Sequence, residues 1–234
     1  MDNRERDGIA GLAAGRLGAV TPVGLSFDLS AGHRLSLSSE RKAVALHVEN
    51  GWLTVETTRI NGKPSTLLIL IPGDLLWIAS LPEELRITLR AATEVTLQRL
   101  TCVDHAKHNG ADPGGSDGQA AGDAECDCAT TMLAPSVAKF MRHAVRVGRL
   151  SAEQRLAGLF VDLAGALGRS TPGGIVFDMP LARQDVADYL LLNPDTLSRQ
   201  MSRFKSEGLI SQPARDRLVV RDIAKLKAMV AQPS

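Results

Sequence analysis

No stretch of this 234-residue chain approaches the roughly 18 apolar residues of a membrane helix, so no transmembrane segment is expected. A basic start followed by an apolar run is also missing. That absence predicts no secretory signal and a cytoplasmic location. No nucleophile–base pair, phosphate loop or paired-carboxylate site is recognisable, so no catalysis is predicted and the chain is not expected to be an enzyme. Aromatics are scarce, at 3%, and net charge is only +1. The near-neutral total hides an asymmetry. Residues 1–134 hold 12 Lys and Arg against 17 Asp and Glu, whereas residues 135–234 hold 15 against 9. A basic C-terminal half is the electrostatic footprint of a DNA-binding module. The length suits one large or two modest domains, each with its own core.

The most informative stretch is Leu181 to Ile210, which reads as a helix-turn-helix. The spacing predicts a first helix over Leu181–Leu190, with Val186 and Leu190 on its apolar stripe. A turn over Leu191–Asn193 comes next. Asn193 is placed to cap a second helix that opens on Pro194 and ends at Gly208. At about 100° per residue, Leu197, Met201 and Phe204 share one side of that helix. Asp195, Ser198, Arg199 and Ser202 share the other. Such a polar face fits a major groove, where Arg reads guanine and a carboxylate accepts from cytosine N4. An ordinary solvated surface would look the same. The residues beyond the second helix favour DNA: Leu209–Ser211 and Arg217–Val220 read as a β-hairpin wing around a turn at Pro213–Asp216. Asp222 then caps a short helix over Ile223–Val230.

Arg183-Gln184-Asp185-Val186-Ala187, Asp195-Thr196-Leu197-Ser198-Arg199 and Gly208-Leu209-Ile210 together resemble the winged helix of the Crp/Fnr family of bacterial transcription regulators. The resemblance implies an α+β chain: an N-terminal β-roll (jelly-roll-like), a long dimerisation helix and a C-terminal winged helix-turn-helix. It implies a homodimer on double-stranded DNA with a palindromic operator, and RNA polymerase as a partner. Asp195, Ser198 and Arg199 are the expected base contacts. Arg183, Gln184, Thr196, Ser202 and Arg203 are the expected backbone contacts. Two residues depart from the family pattern. Leu191 stands where the family usually has Gly, and a non-glycine residue at positive φ is costly, so a different turn is expected. Asp195 stands where the family usually has the longer Glu.

The expected domains are a tail at 1–24, a β-roll at 25–103, a Gly-rich flexible insertion at 104–131, a dimerisation helix at 132–150 and the DNA-binding domain at 151–234. The tail, rich in Gly and Ala, is assigned no function. Ala43–Val48, Trp52–Ile60, Leu67–Ile71 and Ile87–Leu97 are short β-rich runs. Turn signals at Glu49-Asn50-Gly51, Asn61-Gly62-Lys63 and Pro72-Gly73-Asp74 separate them, and Asn-Gly is a hairpin cue. The Val48–Leu53 run and the Pro72–Leu76 corner resemble the family's cyclic-nucleotide-type roll. The Gly-Glu and Arg-Ser/Thr pairs that hold a cyclic nucleotide in that family are missing. Leu75-Leu76-Trp77 follows Gly73-Asp74, and Arg86 and Arg90 precede Ile87 and Ala91. Arg90 also fits the outward phase of its strand. Cyclic AMP is therefore not the expected effector.

Cys102, Cys126 and Cys128 bracket the insertion, and His105 and His108 lie inside it. These residue types could ligate zinc, haem iron or an iron–sulfur cluster, or act as a redox switch, but the spacing matches no standard metal motif. Free thiols and solvated histidines are the plainer reading. The family's iron–sulfur arrangement uses N-terminal cysteines, which this chain lacks. After the insertion, Pro135 is expected to open a helix to Arg149. Leu133, Val137, Phe140, Ala144 and Val147 form a 4-3-4-3 seam suited to pairing with a second copy. Packing within one subunit would use the same stripe. Ser151 and Gln154 have capping-box spacing in front of the next helix. Two rivals remain. One is a cupin-like metal barrel with an appended DNA-binding domain, for which only His33 and His47 are at hand. The other is a DNA binder with no sensing role.

Overall fold

The computed structural model describes residues 26–37, 44–59, 62–78, 86–101 and 127–231. Eight strands come first: β1 (Ser26–Leu29), β2 (Arg34–Ser36), β3 (Val44–Asn50), β4 (Leu53–Thr58), β5 (Pro64–Leu70), β6 (Leu75–Trp77), β7 (Ile87–Ala91) and β8 (Val95–Thr101). They form two antiparallel sheets in the orders β1-β8-β3-β6 and β2-β7-β4-β5. That pairing is the jelly-roll order, two Greek keys laid face to face. Period-two alternation makes it work. Ile87, Leu89 and Ala91 point inward with Leu53 and Val55, while Thr88 and Arg90 point outward. The inner faces meet in an aliphatic core that includes Leu46, Val48, Leu70, Leu76 and Leu97.

The expected β-rich runs are strands, and Ile87–Leu97 is two of them, β7 and β8. The Asn-Gly cue at Asn50-Gly51 marks a turn but not a hairpin, because β3 and β4 belong to opposite sheets. A local signal fixes where the chain turns, not which sheet it turns into. The Gly62 turn does close a hairpin, β4 against β5, with Gly62 N–H donating to the Arg59 carbonyl at 2.9 Å.

Helix α1 (Asp127–Arg149) starts well before Pro135. Residues 127–131, expected in the flexible insertion, are helical. Ala129, Met132, Leu133 and Ala134 favour helix, and Pro135 removes only one ladder bond. Three polar contacts seat α1 on the roll: Ser136 Oγ donates to the Leu75 carbonyl at 2.9 Å, and Lys139 Nζ reaches the Ile69 carbonyl at 3.1 Å and the Asp74 carboxylate. Phe140 packs on the roll core. Helix α2 (Ala152–Leu167) opens on the expected capping box, with Ser151 and Gln154 bonded reciprocally. It crosses α1 at Gly158, where a Cβ would sit 2.8 Å from Arg146 Nε. Arg146 lies across that gap to pair with Asp162 at 2.5 Å.

The C-terminal unit adds β9 (Arg169–Thr171), β10 (Gly174–Asp178), α3 (Arg183–Tyr189), α4 (Pro194–Ser206), β11 (Ile210–Ser211), β12 (Arg217–Val220) and α5 (Ile223–Ala231). Its sheet runs β11-β12-β10-β9, so the expected wing hairpin is the edge of a larger sheet. Asp222 Oδ1 accepts from Lys225 N–H at 2.8 Å and caps α5. No described helix is long and apolar enough to cross a membrane.

Candidate nucleic-acid interface

Helix α4 is built as its sequence dictates. Asn193 Oδ1 accepts from Asp195 N–H at 2.8 Å, and Pro194 occupies the first turn. Leu197, Met201 and Phe204 are buried against the α2 and wing core. Asp195, Ser198, Arg199 and Ser202 are exposed together on the opposite side, with Thr196 half-buried beside them. Arg199 Nη2 rests 3.3 Å from Thr196 Oγ1 and has no carboxylate partner among the described residues. The helix presents hydroxyls, a carboxylate and an uncommitted guanidinium, a set able to read base edges.

The turn before α4 keeps the geometry a glycine would give. Leu191 has φ 51°, the one positive φ at a non-glycine position among the described residues. Leu191 N–H donates to Asp188 O at 3.1 Å, and Leu192 N–H to Ala187 O at 2.8 Å, which makes a Schellman end. Gly208 ends α4 with the same pair of bonds, to Lys205 and Phe204. The expectation of a different turn at Leu191 is thus overturned. Arg155 of α2 explains how: its Nη1 lies 3.2 Å from the Leu190 carbonyl and 3.3 Å from the Leu191 carbonyl.

Among the expected backbone contacts, Arg183 is exposed at the start of α3. Gln184 donates to Asp188 Oδ1 at 2.7 Å. Arg203 has carboxylate partners within the chain. Glu207 and Glu153 hold it at 2.7 and 2.8 Å, and the Glu207 hydrogen bond, then Glu153, raise its pKa. Both pairs are solvent-exposed, so they orient Arg203 in the free chain and leave its charge in place. Sequence spacing shows the i,i+4 partner Glu207, but not Glu153 from another helix.

The expected dimer seam is not one surface. Phe140 faces the roll and Val147 is half-buried, while Val137, Ala144 and two residues outside the seam, Met141 and Val145, are exposed. Met141 is 63% exposed, a large apolar group with no cover within the chain. The backbone of Leu133 is in α1.

Sequence reasoning also missed what joins the two domains. Asp188 sits in the last turn of α3 and is only 5% exposed. Its Oδ1 takes Arg59 Nη2 from the roll at 2.5 Å, and its Oδ2 accepts from Thr66 N–H on edge strand β5 at 3.4 Å. Asp185 accepts from Thr66 Oγ1 at 3.2 Å and pairs with Arg90 Nη2 at 2.7 Å. Arg90 Nε also holds Glu56, which Arg34 reaches at 2.9 Å. Burial opposes the charge of Arg90, but Glu56 and Asp185 overcome it and raise its pKa. On the α1 side, the His143 ring stacks on Tyr189 of α3 at 4.0 Å.

Cys102, His105, His108 and Cys126 lie outside the described residues, and Cys128 is described only as helix backbone. His33 is exposed and His47 half-buried. Among the described residues no group of three His, Cys, Asp or Glu could hold a metal.

Comparison with known proteins bears on this arrangement. Residues 154–229 match the model of the Crp-like helix-turn-helix domain. That match places a Crp-like helix-turn-helix domain in the C-terminal third of the chain. It is similar to the transcriptional activator protein FnrL of Cereibacter sphaeroides, 38% identical over 84 residues, 34% of each chain. It is 26% identical over 172 residues to the nitrogen fixation regulation protein FixK of Azorhizobium caulinodans, covering 72% of this chain and 64% of that one. The chain thus spans between one third and two thirds of the length of these relatives. The structure of FixK2 from Bradyrhizobium japonicum superposes with TM-score 0.69 at 20% identity, covering 91% of this chain and all of that one. That likeness concerns the fold alone.

Proposed function

We propose that this chain is a sequence-specific DNA-binding transcription regulator of the Crp/Fnr type, a homodimer that reads a palindromic operator through α4. The observation that carries the reading is the exposed face of α4, where Asp195, Ser198, Arg199 and Ser202 stand together beside a capped turn and a wing. Asp195, Ser198 and Arg199 contact base edges. Arg183, Gln184, Thr196 and Ser202 contact the sugar-phosphate backbone. The exposed Val137, Met141, Ala144 and Val145 of α1 pair with a second copy. Two subunits then place two α4 helices one helical turn apart. The family resemblance implies half-sites similar to TTGA and RNA polymerase as partner. The effector is not cyclic AMP. Arg90, one of the two roll arginines in the region where the family holds a phosphate, is committed to Glu56 and Asp185 on the outer face.

Selection from random duplexes tests this reading. Enrichment of a palindrome with half-site centres about 10–11 bp apart is expected. Enrichment of no motif, or of an asymmetric one, contradicts it.

A further inference from the structure

Helix α3 is buried on two sides. Val186, Ala187, Tyr189 and Leu190 face the helix-turn-helix core, and between them Asp188 is equally buried and faces the roll. A carboxylate is costly to bury unless it is paired, so the position of α3 depends on what the roll supplies. The roll supplies Arg59 to Asp188 and Arg90 to Asp185, and Glu56 and Arg34 complete the set. Three guanidiniums meet three carboxylates. Arg90 spans Glu56 and Asp185 with two different nitrogens, a fork that a lysine cannot imitate. Asp185 is itself part of the α3 N-terminus, where its Oδ2 accepts from Ala182 N–H at 3.1 Å. An apolar contact lies beside this network: Trp52, Ile69 and Ile71 of the roll belong to the same core cluster as Phe160, Tyr189 and Phe204. With α3 docked, the reading face of α4 and the free face of α1 are both exposed.

We infer that Arg59 and Arg90 of the β-roll are positioning residues for operator reading. They seat α3 against the outer face of sheet β2-β7-β4-β5 and so set the direction in which α4 leaves each subunit. This rests on the reading of the protein as a dimeric DNA binder. A dimer reads two half-sites at once only if both α4 helices are held at fixed spacing and tilt. A single domain bound to phosphates needs no such spacing. The clamp therefore acts on specific binding and leaves nonspecific binding nearly untouched.

The test uses the full chain in a Trp77→Phe background, so that Trp52 is the one tryptophan and its emission reports docking independently of DNA. Arg59→Met, Arg90→Met and Asp188→Asn are compared by operator affinity, affinity for a random duplex and Trp52 emission maximum. Arg59 is half exposed, so its substitution leaves the fold intact even if the Arg90 variant is damaged. Each variant is expected to lose tenfold or more in operator affinity and less than threefold on random DNA, with a red shift of Trp52. Arg59→Met in the Asp188→Asn background should add less than twofold. Unchanged operator affinity overturns the inference, whatever Trp52 does. Tighter operator binding with a red shift also overturns it, because the clamp would then hold the arrangement that does not read DNA. If the native chain selects no operator, the function proposal fails separately, and an unshifted Trp52 in Arg59→Met still rejects the clamp.

Discussion

Arg155 holds the Leu191 carbonyl from 3.3 Å away, and Leu191 is the one non-glycine residue described at positive φ. A long side chain from α2 thus braces the strained residue of the turn between α3 and α4. The leucine gains nothing from burial, since it is 66% exposed. Glycine adopts this conformation without the clash. Leu191→Gly is expected to raise stability by about 1 kcal/mol, read as a higher denaturation midpoint at unchanged slope. Arg155→Met should lower it. A lower midpoint for Leu191→Gly would mean that the leucine side chain is needed for something beyond the turn.

The exposed face of α1 predicts a dimer with a shifted seam. Met141→Glu with Val145→Glu should sediment as a monomer and keep its melting temperature as a folded chain. Phe140→Glu should behave differently. It places a charge against the roll core, and the main loss should be stability. A Met141 and Val145 double variant that remains dimeric would move the interface elsewhere.

His143 predicts a pH dependence. Burial first, then the charges of Arg146 and Lys139, lower its pKa from 6.5 to about 4, against a smaller opposing pull from Asp162. Its Nδ1 has no hydrogen-bond partner among the described residues. The unfolded chain therefore binds the extra proton first as pH falls. The stability His143 contributes is full above pH 6.5 and is lost between about pH 6.5 and 4. Allowing for solvent, the loss is on the order of 2 kcal/mol. His143→Phe keeps the stack on Tyr189 and should flatten that slope in a melting series. An NMR titration that puts His143 near 6.5 would refute this.

Calorimetry with cyclic AMP should show no binding at micromolar concentration, and the operator affinity should not respond. Binding at that level would mean that the roll holds a nucleotide without the family's Gly-Glu and Arg-Ser/Thr pairs.

The parts of the molecule visible in its sequence are the local ones. The caps at Asn193 and Ser151, the buried stripe of α4 and the wing strands each arise from residues within a few positions of one another. The domain clamp joins Arg59 to Asp188 across 129 residues, and no local period signals such a pair. A hint was present in Val186 to Leu190, where an acid interrupts an apolar run too wide for one face. The seam residues divide between the roll and the exposed face for a related reason. Apolar residues cover more than half of the α1 circumference, and periodicity alone cannot say which sector meets the roll and which is left for a partner. Helix α1 also extends further back than Pro135 suggested, because the residues before the proline favour helix strongly enough to outlast one missing bond.

The central claim is that α4 reads bases. The most direct measurement is the affinity of the native chain and of Arg199→Ala for a set of operators substituted one base pair at a time, at two salt concentrations. Arg199→Ala is expected to cost about 1–3 kcal/mol on the best operator and to lose discrimination at one guanine only, with an unchanged salt slope. Asp195→Ala in the same series should change preference more than affinity. Arg183→Ala should weaken every operator alike and make the slope shallower, whereas replacing Arg203, which pairs with Glu153 and Glu207 in the free chain, should flatten it less. If Arg199→Ala weakens every operator equally and flattens the salt slope, Arg199 is a phosphate anchor and the exposed face of α4 is not the reading face.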